Sequence, residues 1–160
     1  MTALWLRYVS WLPLLLLAGT SGCYPAPPYP IHFGGVECAY CHMIVSDPRF
    51  AAELVTKKGR VYDFDSLECV ASFYAQNMVA HEEVHSIWVS DFAHPGDLIP
   101  ASSALYLKAP RLRGPMGVGL AAFAQPAALA EVKARLGGIE TSWQETLAAS
   151  QGPKGQGAPP

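Results

Sequence analysis

The strongest fold signal in this chain of 160 residues is a strand pair that leads directly into a helix start. Residues 50–56 form an apolar run, residues 57–59 form a turn that ends in glycine, and residues 60–64 alternate polar and apolar side chains. Two such runs around a glycine turn predict a β-hairpin. Asp65 follows as a helix-capping residue with Glu68 three positions later, so a helix is expected to begin here. Its predicted buried stripe consists of Leu67, Val70, Ala71 and Tyr74.

The second half of the chain repeats this order more loosely. Residues 84–92 are predicted as a third strand, and residues 103–108 and 117–123 as the next two. A second helix opens at Gln125-Pro126, because proline suits the first helical position, and Gly137-Gly138 ends it. The order of hairpin, phenylalanine and helix therefore occurs twice along the chain. This grouping of strands and helices predicts an α+β fold in one small domain.

The two ends of the chain differ in composition from the domain between them. Residues 1–22 carry one charge, a short leucine-rich stretch and then small residues, which is typical of a secretory signal peptide. Cys23 follows directly and resembles the acylated cysteine of bacterial lipoproteins. Residues 23–35 are predicted as a lipid-anchored, Pro-rich linker, residues 36–150 as the domain and residues 151–160 as a disordered tail.

The charge pattern argues against a nucleic-acid partner. The chain has a net charge of −2 and no run of basic residues. Proteins that bind nucleic acids need clustered lysine and arginine side chains to displace the counterions of the phosphates. We therefore expect no nucleic acid among its partners.

Residues 38–43 concentrate the chemistry of the chain, because two thiols, an imidazole and a thioether fall within six residues. A Cys-x-x-Cys pair brings two sulfurs close together, either for a metal or for a disulfide. Met43 favours Cu(I), a soft ion that accepts thiolate and thioether ligands. A zinc site built from Cys38, Cys41, His42 and Cys69 is a second interpretation, and a redox dithiol or a structural disulfide is a third.

Two further sulfur residues bear on this choice. Met116 stands between Pro115 and Gly117, in a turn rather than in a periodic apolar stripe, so it is a candidate ligand. Cys69 falls beside the buried stripe of the first helix, where a lone cysteine is usually a small buried apolar residue. We therefore leave Cys69 out of the predicted site, although it could form a disulfide with Cys38 or Cys41. Asp65 is assigned to the helix cap.

The Cys-x-x-Cys-x-Met element is followed by four further motifs, which are Asp47-Pro48-Arg49-Phe50-Ala51-Ala52-Glu53, Gly59-Arg60-Val61-Tyr62-Asp63-Phe64-Asp65-Ser66, Trp88-Val89-Ser90-Asp91-Phe92 and Pro115-Met116-Gly117 with Leu120-Ala121-Ala122-Phe123. With these motifs the chain resembles the NosL family of copper-binding lipoproteins, which assist assembly of nitrous oxide reductase. The resemblance covers about residues 36–138, nearly the whole domain.

The resemblance implies an α+β fold of two ββαβ units and one bound Cu(I) ion. It makes Cys38, Cys41 and Met43 the first ligand cluster and Met116 a distant ligand. Family members usually have glycine where this chain has His42, which is therefore a possible additional nitrogen ligand. The implied partners are apo nitrous oxide reductase and its ABC-type membrane maturation complex.

Together these observations predict a binding protein rather than an enzyme. The expected function is that of an exported Cu(I) metallochaperone, anchored by lipid on the periplasmic side of a bacterial membrane, with the outer membrane expected. The alternative is a periplasmic thiol–disulfide oxidoreductase that uses Cys38 and Cys41.

Overall fold

The computed structural model describes residues 28–150 of the chain. The predicted signal peptide, Cys23, the first part of the Pro-rich linker and the C-terminal tail lie outside the described residues. Among residues 28–150, none of the helices combines the length and the apolar character needed to cross a bilayer.

The predicted first hairpin and helix are present. Strand β1 (Ala52–Thr56) pairs antiparallel with β2 (Val61–Phe64), and helix α1 (Leu67–Ala75) follows. The helix cap is Ser66, whose hydroxyl accepts the N–H of Cys69 at 3.2 Å. The prediction that Asp65 caps this helix is therefore wrong. Ser66 is as good a capping residue as Asp65, and it leaves the carboxylate free to point elsewhere.

Two more strands complete the first sheet. A short 3₁₀ helix (His81–Glu83) leads into the predicted third strand, β3 (Val84–Ser90), and β4 (Leu98–Pro100) follows. All neighbouring strands are antiparallel, in the order β2-β1-β3-β4.

The second half of the chain forms a smaller sheet with the same order of elements. It contains β5 (Leu105–Lys108), β6 (Leu120–Phe123), helix α2 (Pro126–Leu136) and β7 (Ile139–Thr141), and helix α3 (Trp143–Ser150) follows. Its strand order, β6-β5-β7, matches the order β2-β1-β3 of the first unit. The predicted α+β fold with two ββαβ units is confirmed.

Strand β6 begins later than predicted because the chain turns sharply before it. Gly117 and Gly119 have φ values of 72° and 75°, which lie in the left-handed region that favours glycine. A Cβ atom at Gly119 would lie 2.3 Å from the carbonyl oxygen of Ala109, so only glycine fits there. Residues 117–119 therefore belong to the loop that carries Met116 into position.

The two units pack into one body with a shared core. Phe92 at the end of the first sheet donates its N–H to the carbonyl of Ala122 in β6 at 2.9 Å. Tyr106, Leu120 and Ala122 of the second unit belong to the same buried cluster as Leu54, Phe64, Val70 and Phe73 of the first. Helix α1 lies against β1, β2 and β6, so it is packed by both units.

The end of the predicted linker is attached to the first sheet. Tyr29 donates its N–H to both carboxylate oxygens of Glu53, at 3.0 and 3.1 Å. Glu53 lies on the central strand β1 and has no exposed surface. Burial raises the pKa of its carboxyl to about 7. Ile31 then packs against the core, so the chain is held to the domain well before residue 36.

Candidate metal centre

The Cys-x-x-Cys element lies on a tight loop before β1, residues 37–44, which we call the cysteine loop. Cys38 donates its N–H to the carbonyl of Met43 at 2.8 Å, and His42 donates to the carbonyl of Cys38 at 3.0 Å. The loop is tied to the neighbouring hairpin because Ala39 donates its N–H to the carbonyl of Asp63 in β2 at 2.8 Å. These bonds turn both sulfurs toward helix α1.

His42 occupies the sharpest point of the cysteine loop. Its φ is 62°, a left-handed conformation that a residue with a side chain adopts at some cost. This geometry explains why glycine suits the position, as the family resemblance suggests. The His42 side chain is exposed to solvent.

Four ligand atoms converge between the cysteine loop and the start of α1. The sulfurs of Cys38, Cys41 and Cys69 and a carboxylate oxygen of Asp65 all lie within 4.8 Å of one another. We call these four residues the inner quartet. Cys41 is 9% exposed, while Cys38 and Cys69 are fully buried and Asp65 is 1% exposed. None of the three described cysteines forms a disulfide.

The environment of Cys38 favours a thiolate. The S–H of Cys69 donates to the Cys38 sulfur, and the N–H groups of Cys41, Asp65 and Tyr40 donate as well. Burial opposes these bonds, but together they lower the pKa of Cys38 to about 6. Since an ordinary cysteine has a pKa near 9.0, Cys38 is the preferred anionic sulfur of the site.

The other two cysteines are thiols in the metal-free state. Burial is the main reason why the pKa of Cys41 is raised to about 11, although the N–H of Met43 partly offsets it. The pKa of Cys69 is also raised, because its proton is held in the bond to Cys38 and because the side chain is buried. A cation that binds here must therefore displace thiol protons.

Asp65 is the least satisfied polar side chain of the site. Both of its carboxylate oxygens are buried, and among residues 28–150 they are approached by the Cys69 thiol, a weak donor, without a well-formed hydrogen bond. A buried polar group without a partner costs about 1 to 3 kcal/mol, and more if it is charged. A bound cation would satisfy these oxygens.

The predicted site residues fall into two groups. The structure brings Cys38 and Cys41 together, but the side chains of Met43, 43% exposed, and His42 lie at the surface. Met116 lies in a turn closed by the bond from Gly117 N–H to the Gly114 carbonyl at 3.0 Å. It is partly buried and packs against the core that contains Cys38, Cys41 and Cys69.

Sequence reasoning left Asp65 and Cys69 out of the candidate set. Cys69 was assigned to the core and Asp65 to the helix cap, and the structure places both beside Cys38. Asp65 precedes the capping residue Ser66 and lies outside the helix, so the rule that residues four apart share a helix face does not identify it as a neighbour of Cys69.

Comparison with known proteins places this chain in a family. The family model described as NosL matches residues 31–150. The chain belongs to the NosL family. The resemblance inferred from the motifs is confirmed, and the match takes in the whole cysteine loop and the inner quartet.

Two relatives illustrate how this NosL-family chain compares with characterised proteins. The copper-binding lipoprotein NosL of Stutzerimonas stutzeri is 31% identical over 130 residues, which span 71% of this chain and 66% of the relative. The crystal structure of the copper chaperone NosL from Shewanella denitrificans has a TM-score of 0.64 and 21% identity, and covers 76% of this chain and 96% of that one. Neither relative is named as an enzyme, which agrees with the expected binding function.

Proposed function

We propose that this NosL-family protein is an exported, lipid-anchored Cu(I) metallochaperone that delivers copper for assembly of nitrous oxide reductase. The observation that carries the proposal is the sulfur pair of the cysteine loop. Cys38 supplies a thiolate, with a pKa lowered to about 6 by the hydrogen bonds it accepts, and Cys41, at 9% exposed, is the less deeply buried member of the pair. Soft sulfur donors of this kind suit Cu(I).

The two methionines support transfer as well as binding. Met43 is exposed next to Cys41, and Met116 is partly buried against the core that holds both cysteines. Thioethers are neutral, weak donors that bind Cu(I) but not Zn²⁺ well, so they can be exchanged for the ligands of a partner protein. We propose Cys38, Cys41, Met43 and Met116 as the cargo site, with His42 as an additional nitrogen donor at its rim.

The names of the relatives support this function. One is a copper-binding lipoprotein and the other a copper chaperone. We propose that Cys23 carries the lipid anchor, that the protein lies on the periplasmic side of the outer membrane, and that apo nitrous oxide reductase and its ABC-type maturation complex are the partners.

The structure disfavours the alternative oxidoreductase. A redox dithiol needs an accessible thiolate, which is usually the first cysteine at a helix start. Here Cys38 has the low pKa but is fully buried, and no helix follows the cysteine loop, since the next element is strand β1.

Anaerobic titration of the reduced protein with Cu(I) tests the proposed function. We expect one tightly bound ion per chain, and weaker binding in Met43→Leu and Met116→Leu. Met78→Leu is the matched control, because Met78 is 58% exposed, three residues beyond the end of α1 and outside the cargo site. Unchanged Cu(I) affinity in both test variants, together with disulfide reduction that depends on Cys38, would contradict the chaperone proposal and support the oxidoreductase alternative.

The proposed anchor has its own test. Cys23→Ser removes the acylated thiol and should move the protein from the membrane fraction to the soluble fraction after cell lysis. Retention of this variant in membranes would exclude Cys23 as the anchor, without affecting the copper proposal.

A further inference from the structure

Residues 29–36, which we call the strap, lead directly into the cysteine loop. At its C-terminal end the strap is bonded to the residue that follows this loop. Gly34 donates its N–H to the carbonyl of Val45 at 2.8 Å, and Val45 donates its own N–H to the carbonyl of Val36 at 2.9 Å. Since Val36 and Val45 flank the cysteine loop, a shift of the strap displaces both ends of that loop.

The other end of the strap is held by one buried side chain. Tyr29 donates its N–H to both carboxylate oxygens of Glu53, at 3.0 and 3.1 Å. Glu53 is fully buried on the central strand β1, and no lysine, arginine or histidine among residues 28–150 forms an ion pair with it. A buried carboxylate needs hydrogen bonds to offset the loss of water, and the strap supplies them.

The neighbours of Glu53 make its charge costly. Asp63 lies directly across from it in β2, and the uncharged Trp88 lies directly across in β3. Burial raises the pKa of Asp63, which the charge of His32 in the strap partly offsets. Burial first, and then Asp63, raise the pKa of Glu53 to about 7, against the effect of the bond from Tyr29. Opening of the strap exposes Glu53 to water and so lets the carboxyl ionise.

We propose that Glu53 is a positioning residue, which holds the strap through the N–H of Tyr29 and thereby fixes the cysteine loop in the conformation that receives Cu(I). Glu53 acts through the strap and does not touch the ion. Because ionisation of Glu53 favours the open strap, the same contact makes the cysteine loop sensitive to pH. The role in copper binding rests on the proposed function, whereas the coupling between the strap and the cysteine loop does not.

Tyr29→Pro tests the coupling, because proline has no backbone N–H and Glu53 stays in place. The measurement is amide hydrogen exchange of the full-length, reduced, metal-free protein. We expect the amides of Gly34 and Cys38 to exchange about 10-fold faster or more, since a hydrogen bond to a charged group is lost. Tyr29→Ala is the matched control, because it loses the same side chain but keeps the N–H. Tyr29 is 45% exposed, so neither variant removes a core residue.

Glu53→Gln tests the carboxylate, since it keeps an oxygen that accepts the N–H of Tyr29 but does not ionise. In the wild type, exchange at Gly34, corrected for its intrinsic pH dependence, should rise by up to about 10-fold per pH unit between pH 4.5 and about 7 and then level off. The variant should lack this rise. Glu140→Gln is the control, because Glu140 is an exposed strand glutamate of the second sheet that pairs with Lys133 at 2.8 Å.

Cu(I) titration extends the test to copper. We expect Tyr29→Pro to bind Cu(I) about 10-fold more weakly than Tyr29→Ala, as for other residues that orient a metal ligand. Unchanged exchange of Cys38 in Tyr29→Pro would overturn the coupling, and equal pH curves for the wild type and Glu53→Gln would overturn the role of the carboxylate. A loosened cysteine loop with unchanged Cu(I) affinity would overturn the positioning role. Wild-type protein that binds no Cu(I) would contradict the proposed function, and the exchange measurements would still decide the coupling.

Discussion

Cys69→Ala removes the S–H group that donates to the sulfur of Cys38, and this bond is the main cause of the low pKa of Cys38. With a pKa of about 6, Cys38 is about 90% thiolate at pH 7, whereas at the ordinary value of 9.0 it would be about 1% thiolate. The difference between the two values corresponds to about 4 kcal/mol of interaction energy. We expect the variant to lose most of its thiolate at neutral pH.

The assay is the ultraviolet absorbance of the thiolate in the metal-free, reduced protein, followed from pH 5 to pH 9, roughly the range over which a pKa of about 6 is resolved. Cys69→Ser is the matched control, because its hydroxyl can still donate to the Cys38 sulfur and should keep the pKa low. An alanine variant with the titration curve of the wild type would refute this account of the site.

The same ionisation makes the stability of the metal-free protein depend on pH. Between pH values of about 6 and 9, Cys38 is a thiolate in the folded chain and a thiol in the unfolded chain, so folding releases a proton. The contribution of Cys38 to stability therefore rises across this range by up to about 1.4 kcal/mol per pH unit, and is lost as the pH falls through 6. Above pH 9 the trend reverses, because the pKa of Cys41 is raised to about 11 and the folded chain keeps its proton longer. Denaturant unfolding at a series of pH values should show a maximum near pH 9, which Cys69→Ala should flatten.

Three further substitutions test the fold around the site. Phe64→Ala should lower the free energy of unfolding by about 3 to 5 kcal/mol in denaturant titration, because Phe64 is fully buried and its ring packs 5.2 Å from that of Phe73. A loss below about 1 kcal/mol would show that the shared core is looser than described. His42→Gly should raise the free energy of unfolding of the metal-free protein by about 1 kcal/mol, because glycine adopts the left-handed conformation without strain. An unchanged melting temperature would contradict the left-handed φ of 62° at this position. Because its pKa is raised to about 7, Glu53 lowers the free energy of unfolding as the pH rises to that value, and Glu53→Gln should remove this fall. A variant whose free energy of unfolding depends on pH as in the wild type over this range would count against the raised pKa of Glu53.

Local sequence signals were sufficient for the first hairpin and for the helix that follows it. The hairpin of β1 and β2 and the start of α1 are encoded in a continuous stretch, where a glycine turn and a capping residue mark each boundary. Strands β4 and β7 were not predicted, because each has three residues and too few apolar positions to show a period. Helix α3 was missed as well, since only Thr146 is buried along it.

The inner quartet could not be predicted from local pattern. Cys38 and Cys69 are separated by 30 residues, and only the packing of α1 beneath the cysteine loop brings their sulfurs together. Asp65 shows a different limit. It stands beside Ser66, and both residues are good helix caps, so the sequence does not reveal which of them caps the helix and which side chain turns toward the sulfurs.

The bond from Tyr29 to Glu53 sets the length of the tether between the domain and the proposed anchor. Tyr29 is six residues after Cys23, and an extended chain spans at most about 3.6 Å per residue, so this tether reaches no farther than about 22 Å. That distance is less than the thickness of a bilayer's hydrocarbon core, about 30 Å. A lipid-anchored protein with so short a reach works close to its own membrane. If Cys23 carries the proposed anchor, copper would pass to a partner only when that partner comes close to the membrane surface or the whole protein leaves it.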